Sequence, residues 1–230
     1  MNDILLNSLF FGVMVSFATY EAGIFIRKKC GLAIFNPLLF SIVALILILS
    51  AFNIDYKTYH EGAKYLSYLL TPATVCLAVP LYEQFELLKK NVRAILTGIF
   101  SGVITSAVCV LALSILFGLS HKEYVTLLPK SITTAIGMGV SQELGGIVTI
   151  TVAVIIITGV FGNITADIVC KLFKIEEPIA KGIAIGSSAH AVGTAKAMEL
   201  GEIEGAMSSL SIAVSGLLTV FVATLFSYFL

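Results

Sequence analysis

The chain has 230 residues, of which 58% are hydrophobic and only 12% are charged, and its mean hydropathy is +1.01. A soluble domain carries about twice that charged fraction, roughly a quarter of its residues, so the composition excludes a soluble globular protein. The formal net charge is zero, which excludes the basic surface of a nucleic-acid-binding protein. We therefore expect a protein embedded in a lipid bilayer.

Long apolar stretches follow one another along the chain, with only short loops between them. Each is close to the ~20 residues that a helix needs to cross the hydrocarbon core. Because the bilayer offers backbone groups no hydrogen-bonding partner, helix is the only state expected for them. We predict an all-α polytopic membrane protein, with a single domain spanning residues 1–230 and about eight segments: residues 4–26, 32–52, 63–81, 94–119, 125–140, 147–170, 179–198 and 206–230.

The start of the chain lacks the pattern of a cleaved signal peptide. It carries Asp3 rather than basic residues, and the first apolar stretch exceeds a signal-peptide core, so we expect this segment to remain in the mature protein. No CxxC pair is present, and we expect the four cysteines to pack among the helices rather than to form disulfides or a metal site. They are Cys30, Cys76, Cys109 and Cys170.

Three of the segments contain proline, glycine and hydroxyl residues where a plain membrane anchor has aliphatic side chains. The interruptions are Thr71, Pro72, Thr74 and Pro80 in the third segment, Pro129, Ser131, Thr133 and Thr134 in the fifth, and Gly186, Ser187, Ser188, Gly193 and Thr194 in the seventh. Glycine and proline are common in membrane helices, so kinked packing is one interpretation. Their clustering with ionisable groups favours broken or re-entrant helices around a polar cavity, in inverted repeats.

Three basic clusters predict the topology. They occupy residues 27–29, 89–93 and 171–181, and the positive-inside rule places the first two in the cytoplasm, with the N-terminus outside. If all six preceding segments crossed the membrane, the third cluster would lie outside. A hairpin around Pro129 that enters and leaves on one side removes this violation.

Lys130 is the main candidate for binding an anion. A lysine within a membrane segment costs about 2.5–3.5 kcal/mol on insertion scales, so it should face protein or water. We predict that it holds an anionic substrate together with Ser131, Thr133 and Thr134. The alternative is a lysine that extends to the interface from the end of a helix that begins at Pro129.

His190 is the second ionisable candidate, since imidazole titrates near neutral pH. It could bind a carboxylate or relay a proton, and a structural histidine is the alternative. The hydroxyls of Thr71, Thr74, Ser187, Ser188 and Thr194 could join free N–H groups at helix breaks in binding a carboxylate. Each of them could instead bond its own helix backbone.

Three further charged residues in or near the apolar segments are given predicted positions. Lys196 is expected at the membrane interface, Asp167 in the membrane or at its cytoplasmic rim, and Glu204 in a loop. Motifs of hydrolases, zinc proteases and P-loop proteins are absent, so we do not expect an enzyme, and no cofactor or metal is expected.

Four stretches of the chain resemble the LrgB/CidB family: residues 71–82, 129–134, 188–201 and 204–209. The motifs occur in the family order, and the resemblance covers essentially the whole chain. One departure is Ala135, because the family usually has proline directly after the two threonines. The resemblance implies a multi-pass protein of the bacterial cytoplasmic membrane.

The resemblance implies two functions. One is an antiholin-like regulatory subunit that modulates murein hydrolase activity and cell lysis through a small LrgA/CidA-like membrane protein, without moving solute. The other is transport of small monocarboxylates of the pyruvate, glycolate, glycerate and lactate class, as in the related plastid glycolate/glycerate transporter, again with the small partner. The interrupted helices and Lys130 favour transport, because a holin-type pore needs only a few amphipathic helices. Homo-oligomer formation is a further expectation left open.

Overall fold

The computed structural model describes residues 10–30, 36–76 and 78–230, and this described backbone is helical with no strand. The helices are α1 (Phe11–Cys30), α2 (Pro37–Ala51), α3 (Tyr56–Tyr68), α4 (Leu70–Cys76), α5 (Ala78–Glu83), α6 (Phe85–Phe117), α7 (His121–Leu127), α8 (Thr134–Glu143), α9 (Val148–Leu172), α10 (Pro178–Leu200) and α11 (Glu202–Phe226), followed by a 3-10 turn at Ser227–Phe229. The all-α prediction is confirmed. The chain divides into two compact units, residues 1–76 and 77–230, and the single domain stays a prediction.

In the first unit, α1 packs against both α2 and α3. Pro37 begins α2, and the side chain of Asn36 accepts the N–H of Leu38 at 2.9 Å, which is the usual chemistry of a helix start. The hydroxyls of Thr19 and Ser41 lie 2.8 Å apart. Small and hydroxyl side chains thus join α1 to α2, as they often do between membrane helices.

The interruptions predicted in the third segment are present, but the helical region begins earlier than expected. α3 starts at Tyr56 rather than at residue 63, because the side chain of Asp55 caps it. New helices begin at residues 70 and 78, so Pro72 and Pro80 each lie in the first turn of a short helix. Proline is tolerated there because the N–H that it lacks would have no partner within the helix.

Three described helical stretches, all in the second unit, are long and apolar enough to cross a membrane: Phe85–Phe117, Val148–Leu172 and Glu202–Phe229. Large apolar side chains point outward from them, including Phe117, Phe161 and Phe221, and lipid would cover such a surface. α6 starts at Phe85 rather than at residue 94, because its charged first turns continue the helix beyond the apolar part. These features describe a multi-pass membrane protein.

The fifth predicted segment is a hairpin of two short helices. α7 ends at residue 127, residues 128–133 form a turn, and α8 begins at residue 134. The hydroxyl of Thr151 donates to the Thr126 carbonyl at 2.9 Å and lies 2.7 Å from the Ser141 hydroxyl. The end of α8 therefore lies beside α7, and the chain returns toward the end from which it came. We call residues 121–143 the first hairpin and residues 128–133 its tip.

The seventh predicted segment is also folded back on itself. α10 is broken at His190, where φ is 43° and ψ is −142°. A Cβ added at Gly193 would lie 3.0 Å from Cγ2 of Ile185, although residues eight positions apart in a straight helix are about 12 Å apart. We call residues 178–200 the second hairpin and His190 its tip.

The predicted breaks at Gly186 and Gly193 are wrong in position, because the break lies between them at His190. Both glycines instead permit close packing. A Cβ added at Gly186 would lie 2.8 Å from the Cα of Ser208 on α11, and Gly193 packs against the first arm of its own hairpin. The two glycines thus allow close contact between helices and do not form the turn.

The two hairpins enter the unit from opposite ends. The first lies beside the end of α11, since Tyr124 Oη donates to the Phe226 carbonyl at 2.9 Å; we call this the Leu230 end. The second follows α9 and precedes α11, at what we call the Lys171 end. The basic residues at 89–93 lie at the Lys171 end too, because Asn91 and Glu177 line one cavity there. Opposed hairpins of this kind are typical of inverted repeats.

Both hairpins reach Ile155 in the middle of α9. On one side, a Cβ added at Gly137 of the first hairpin would lie 3.7 Å from Cγ1 of Ile155. On the other side, Nε2 of His190 donates to the carbonyl of Ile155 at 2.9 Å. The second arm of the first hairpin and the tip of the second hairpin therefore meet at one residue.

Candidate functional site

A cavity of about 740 Å³ lies between α6, the tip of the first hairpin and the first arm of the second hairpin. One face of α6 forms a wall, because residues at helical spacing on that face are small or polar. They are Asn91, Ala94, Gly98, Ser101, Gly102, Thr105, Ser106 and Cys109. Gly98 and Gly102 pack against Ile183 and Ser187, which holds the second hairpin against this wall.

Lys130 lies at the inner end of the cavity, on the tip of the first hairpin. Its Nζ donates to the Ser131 hydroxyl at 3.0 Å, and that hydroxyl lies 3.1 Å from the Ser106 hydroxyl on α6. Within the described part of the chain, no carboxylate forms an ion pair with Lys130. The cavity thus ends in a partly buried ammonium group and two hydroxyls, and no carboxylate of the described residues neutralises the ammonium charge.

Ser187 and Ser188 contribute to the opposite wall, and their binding of a substrate stays a prediction. Their hydroxyls donate to the carbonyls of Ile183 and Ala184, at 2.7 Å and 2.6 Å. Because each proton is used within the helix, these oxygens face the cavity mainly as hydrogen-bond acceptors. They can hold water or a substrate hydroxyl, whereas the donors for a carboxylate come from the Lys130 side.

Other predicted residues do not line this cavity. Thr133 is the last residue of the tip and Thr134 begins α8, and neither lines the cavity. Thr194 is fully buried, and its hydroxyl donates to the His190 carbonyl at 3.0 Å and lies 2.7 Å from the Ser208 hydroxyl. Thr71 and Thr74 belong to the first unit, and their side chains are outside the described part of the structure. The structure therefore brings together only part of the predicted set.

His190 also lies away from the cavity, with only 4% of its surface exposed. Since a carbonyl can only accept, the bond to Ile155 requires the imidazole proton on Nε2. Gly159 makes room for the ring, because a Cβ added there would lie 2.6 Å from Cε1 of His190. This geometry fixes the tip of the second hairpin and matches the structural alternative for His190.

The reversed direction of the chain at His190 is supported by further polar contacts. Asn163 Nδ2 donates to the carbonyl of Val192 at 2.7 Å, which joins the start of the second arm to α9. Asn163 of α9 and His190 of α10 therefore provide two hydrogen bonds between α9 and the region of the break.

The structure shows the surroundings of two further charged residues. The side chain of Lys196 is only 14% exposed and its Nζ lies 3.1 Å from Asp167 and 3.2 Å from Glu199, while its position at the membrane interface stays a prediction. The pair joins the second hairpin to α9. Glu204, predicted in a loop, is buried in the first turn of α11. Within the described residues, no group of three or more His, Cys, Asp or Glu side chains could hold a metal ion.

The sequence reasoning missed the wall formed by α6. Its hydroxyls lie in an unbroken apolar helix, whereas the predicted site residues all belong to interrupted segments. The signal was the spacing: Gly98, Ser101, Gly102, Thr105 and Ser106 recur every three or four residues, which places them on one face of a helix.

Comparison with known proteins identifies relatives of this chain. The profile of the LrgB-like family matches residues 16–229. Antiholin-like protein LrgB of Bacillus mycoides (strain KBAB4) is 37% identical over 222 residues, which cover 96% of each chain. Proteins of the same name from Bacillus cereus (strain B4264) and Bacillus anthracis (strain CDC 684 / NRRL 3495) are 36% identical over the same shares. No solved structure matches the chain.

Proposed function

The chain belongs to the LrgB-like family, and from the cavity that ends at Lys130 we propose that it is a transporter component for small monocarboxylates. The single observation that carries this proposal is a partly buried ammonium group that forms no ion pair with any carboxylate of the described residues. A charged group in a low-dielectric site is stable only when a partner or water compensates it. A carboxylate substrate would provide that partner on binding and remove it on release.

The surroundings of Lys130 fit a small anion with further polar groups. The Nζ and the hydroxyls of Ser131 and Ser106 lie within one hydrogen-bonded chain, so they can donate to both oxygens of one carboxylate. Ser187 and Ser188 face them as acceptors, which suits a substrate hydroxyl. A two- or three-carbon acid fills only a small part of a 740 Å³ cavity, so water occupies the rest and binding is weak.

The cavity gives access to only one end of the second unit. Its lining runs from Asn91 and Glu177 at the Lys171 end to Cys109 and Lys130, and the first hairpin separates Lys130 from the Leu230 end. Under the positive-inside rule, the Lys171 end is cytoplasmic. In this proposal, the substrate enters from the cytoplasm or leaves toward it, and the first hairpin must move to open the other side.

Uptake into membrane vesicles tests this function. We would compare labelled pyruvate, glycolate, lactate and glycerate in vesicles that contain the chain alone, the chain with a small LrgA/CidA-like partner, or neither. Replacing Lys130 with alanine should abolish saturable uptake, because a charge-assisted bond contributes about 1.5–3 kcal/mol, or roughly ten- to a hundredfold in affinity.

Lys122→Ala is the matched control, since Lys122 is exposed at the start of the same hairpin. It should transport as the unchanged protein does, after correction for the amount in the membrane. Saturable uptake by Lys130→Ala at the unchanged rate and affinity would remove the proposed anion site.

The second candidate is an antiholin-like regulatory subunit, and the names of the relatives favour it over transport. On this reading, the chain binds a small LrgA/CidA-like protein or another copy of itself and influences cell lysis without moving solute. Lys130 would then be dispensable, while exposed helix faces would be required. A lysis assay with Lys130→Ala separates the two candidates: unchanged lysis control together with absent uptake by any variant supports the regulatory subunit.

A further inference from the structure

A second cavity, of about 290 Å³, lies at the Lys171 end of the second unit. It shares no lining residue with the cavity that contains Lys130. The end of α9, the loop after it, the start of α10 and the last residue of the second hairpin surround it. The lining residues are Asp167, Cys170, Lys171, Lys174, Ile175, Glu176, Lys181 and Leu200.

The charges around this cavity are unbalanced. Three lysines line it, and none of them forms an ion pair with a carboxylate in the described residues. Of the two carboxylates, Asp167 is already paired with Lys196, 3.1 Å away outside the lining. Glu176 alone is left to face three ammonium groups, so the cavity attracts anions.

Apolar groups accompany these lysines. Ile175 and Leu200 form part of the lining, and Leu172 and Phe173, next in sequence to Lys171, are 73% and 70% exposed. Lysines beside exposed apolar side chains at the end of a membrane-spanning helix lie where lipid headgroups meet acyl chains. The surroundings therefore suit a ligand with an anionic head and an apolar tail.

We propose that this cavity binds a phosphate group, in particular the headgroup phosphate of an anionic lipid. A phosphate presents several acceptor oxygens, which three lysines from two helices and a loop can contact together. Soluble phosphate esters offer the same acceptors but lack the tail that would pack against Leu172 and Phe173. The proposal is independent of monocarboxylate transport, because the two cavities have no residue in common.

The second hairpin connects this cavity to the cavity that contains Lys130. Lys181 lies in the first arm of the second hairpin, whose other face lines the cavity of Lys130 through Ala180 and Ile183. Leu200 is the end of the second arm. A ligand bound here would hold both arms of that hairpin against the end of α9.

The test uses the full chain purified in detergent and measures its binding by native mass spectrometry. The probes are phosphatidylglycerol, phosphatidylcholine and inorganic phosphate. We expect saturable binding of phosphatidylglycerol, weaker binding of inorganic phosphate, and no saturable binding of phosphatidylcholine, whose headgroup has no net charge. Stronger binding of inorganic phosphate than of the anionic lipid would support the phosphate site with a soluble ligand.

Two charge-removing triple variants provide the comparison. Lys171→Gln, Lys174→Gln and Lys181→Gln together should weaken phosphatidylglycerol binding by roughly tenfold or more, because each lysine near a membrane surface contributes severalfold. Replacing Lys89, Lys90 and Arg93 with glutamine removes the same charge at the same end, outside the cavity, and should change binding less than twofold.

Glu176→Gln keeps the proposal testable if the triple variant fails to fold. This change removes the opposing carboxylate and should tighten binding two- to threefold. Equal loss of binding in the two triple variants would overturn the proposal. It would also be overturned if Glu176→Gln had no effect and neither phosphate probe showed saturable binding.

Discussion

Nε2 of His190 donates a hydrogen bond to the carbonyl of Ile155, 2.9 Å away, and this contact fixes the tip of the second hairpin. The bond is buried, and the backbone at His190 has a positive φ that residues with a side chain rarely adopt. Strain of this kind costs of the order of 1–3 kcal/mol and persists only where surrounding contacts compensate it. Here the hydrogen bond from the imidazole to the Ile155 carbonyl compensates the strain.

The strain and the bond at His190 can be separated by two substitutions. His190→Ala loses the bond and keeps the strain, so it should lower the free energy of unfolding by about 1–3 kcal/mol. His190→Gly loses the bond but relieves the strain, so it should be the more stable of the two by up to about 1 kcal/mol. Thermal unfolding in detergent measures both. An alanine variant as stable as the unchanged protein would show that the bond contributes nothing.

Gly159 should tolerate no side chain, because a Cβ there would meet the imidazole of His190 at 2.6 Å. Gly159→Ala should destabilise the protein by about 1–3 kcal/mol, as overpacked cores usually do. Gly139→Ala is the matched control, since a Cβ on Gly139 would meet no atom within 4 Å. The control should be neutral or slightly stabilising, because alanine is the better helix former. Equal effects at the two glycines in thermal unfolding would contradict this packing.

Cys109 provides a reporter for the cavity, since it lines the same inner end as Lys130. In a variant that keeps Cys109 and has serine at the other three cysteine positions, lactate should slow alkylation by a small maleimide severalfold. Lactamide, which has the same shape without the charge, should not. Lys130→Ala should abolish the protection by lactate. Equal protection by lactate and lactamide would mean that the ammonium group does not select for charge.

The opposed hairpins and the positive-inside rule together predict the membrane topology, with the Lys171 end in the cytoplasm. Single cysteines introduced at Lys174 and Asn91 should react only with reagents added from the cytoplasm, and one at His121 only with reagents added from outside. The reason is that the first two positions lie at the Lys171 end, whereas the third lies at the Leu230 end near Leu230. Labelling of position 174 from outside would reverse or refute this orientation.

The start of the first hairpin should be sensitive to acid. The hydroxyl and the backbone N–H of Ser120 donate to the carboxylate of Glu123, which holds the pKa of Glu123 below its usual range. A pKa lowered by folding gives stability that is present above the unfolded pKa and lost as the pH falls through the folded pKa. The melting temperature of Glu123→Gln should therefore lie below that of the unchanged protein at pH 7. The two values should converge at acidic pH, and a constant difference down to pH 2 would contradict the capping role.

Much of the fold could be predicted from the sequence because membrane solvent leaves few alternatives. The basic residues near 171–181 required a hairpin around Pro129, and the structure has one. The exact break at His190 could not be predicted, since the flanking Gly186 and Gly193 are the residues that usually mark a turn. Its cause is a set of contacts with α9, from Asn163 and Ile155, and such contacts between segments leave no pattern in a single stretch of sequence.

The candidate site was predicted in part for the same reason. Lys130, Ser131, Ser187 and Ser188 belong to interrupted segments and were found by their local composition. Ser106 contacts Ser131 from an uninterrupted helix, and the Lys196–Asp167 pair joins residues that are far apart in the chain. Only the tertiary arrangement shows these partners.

The shared contact at Ile155 has a practical consequence, because its two halves belong to different parts of one residue. The side chain packs against Gly137 of the first hairpin, while the main-chain carbonyl receives the imidazole of the second. A shorter side chain at this position would loosen the packing of the first hairpin's second arm and leave the tip of the second hairpin bonded, whereas a change at His190 would do the reverse. The attachment of each hairpin to α9 can thus be weakened independently of the other.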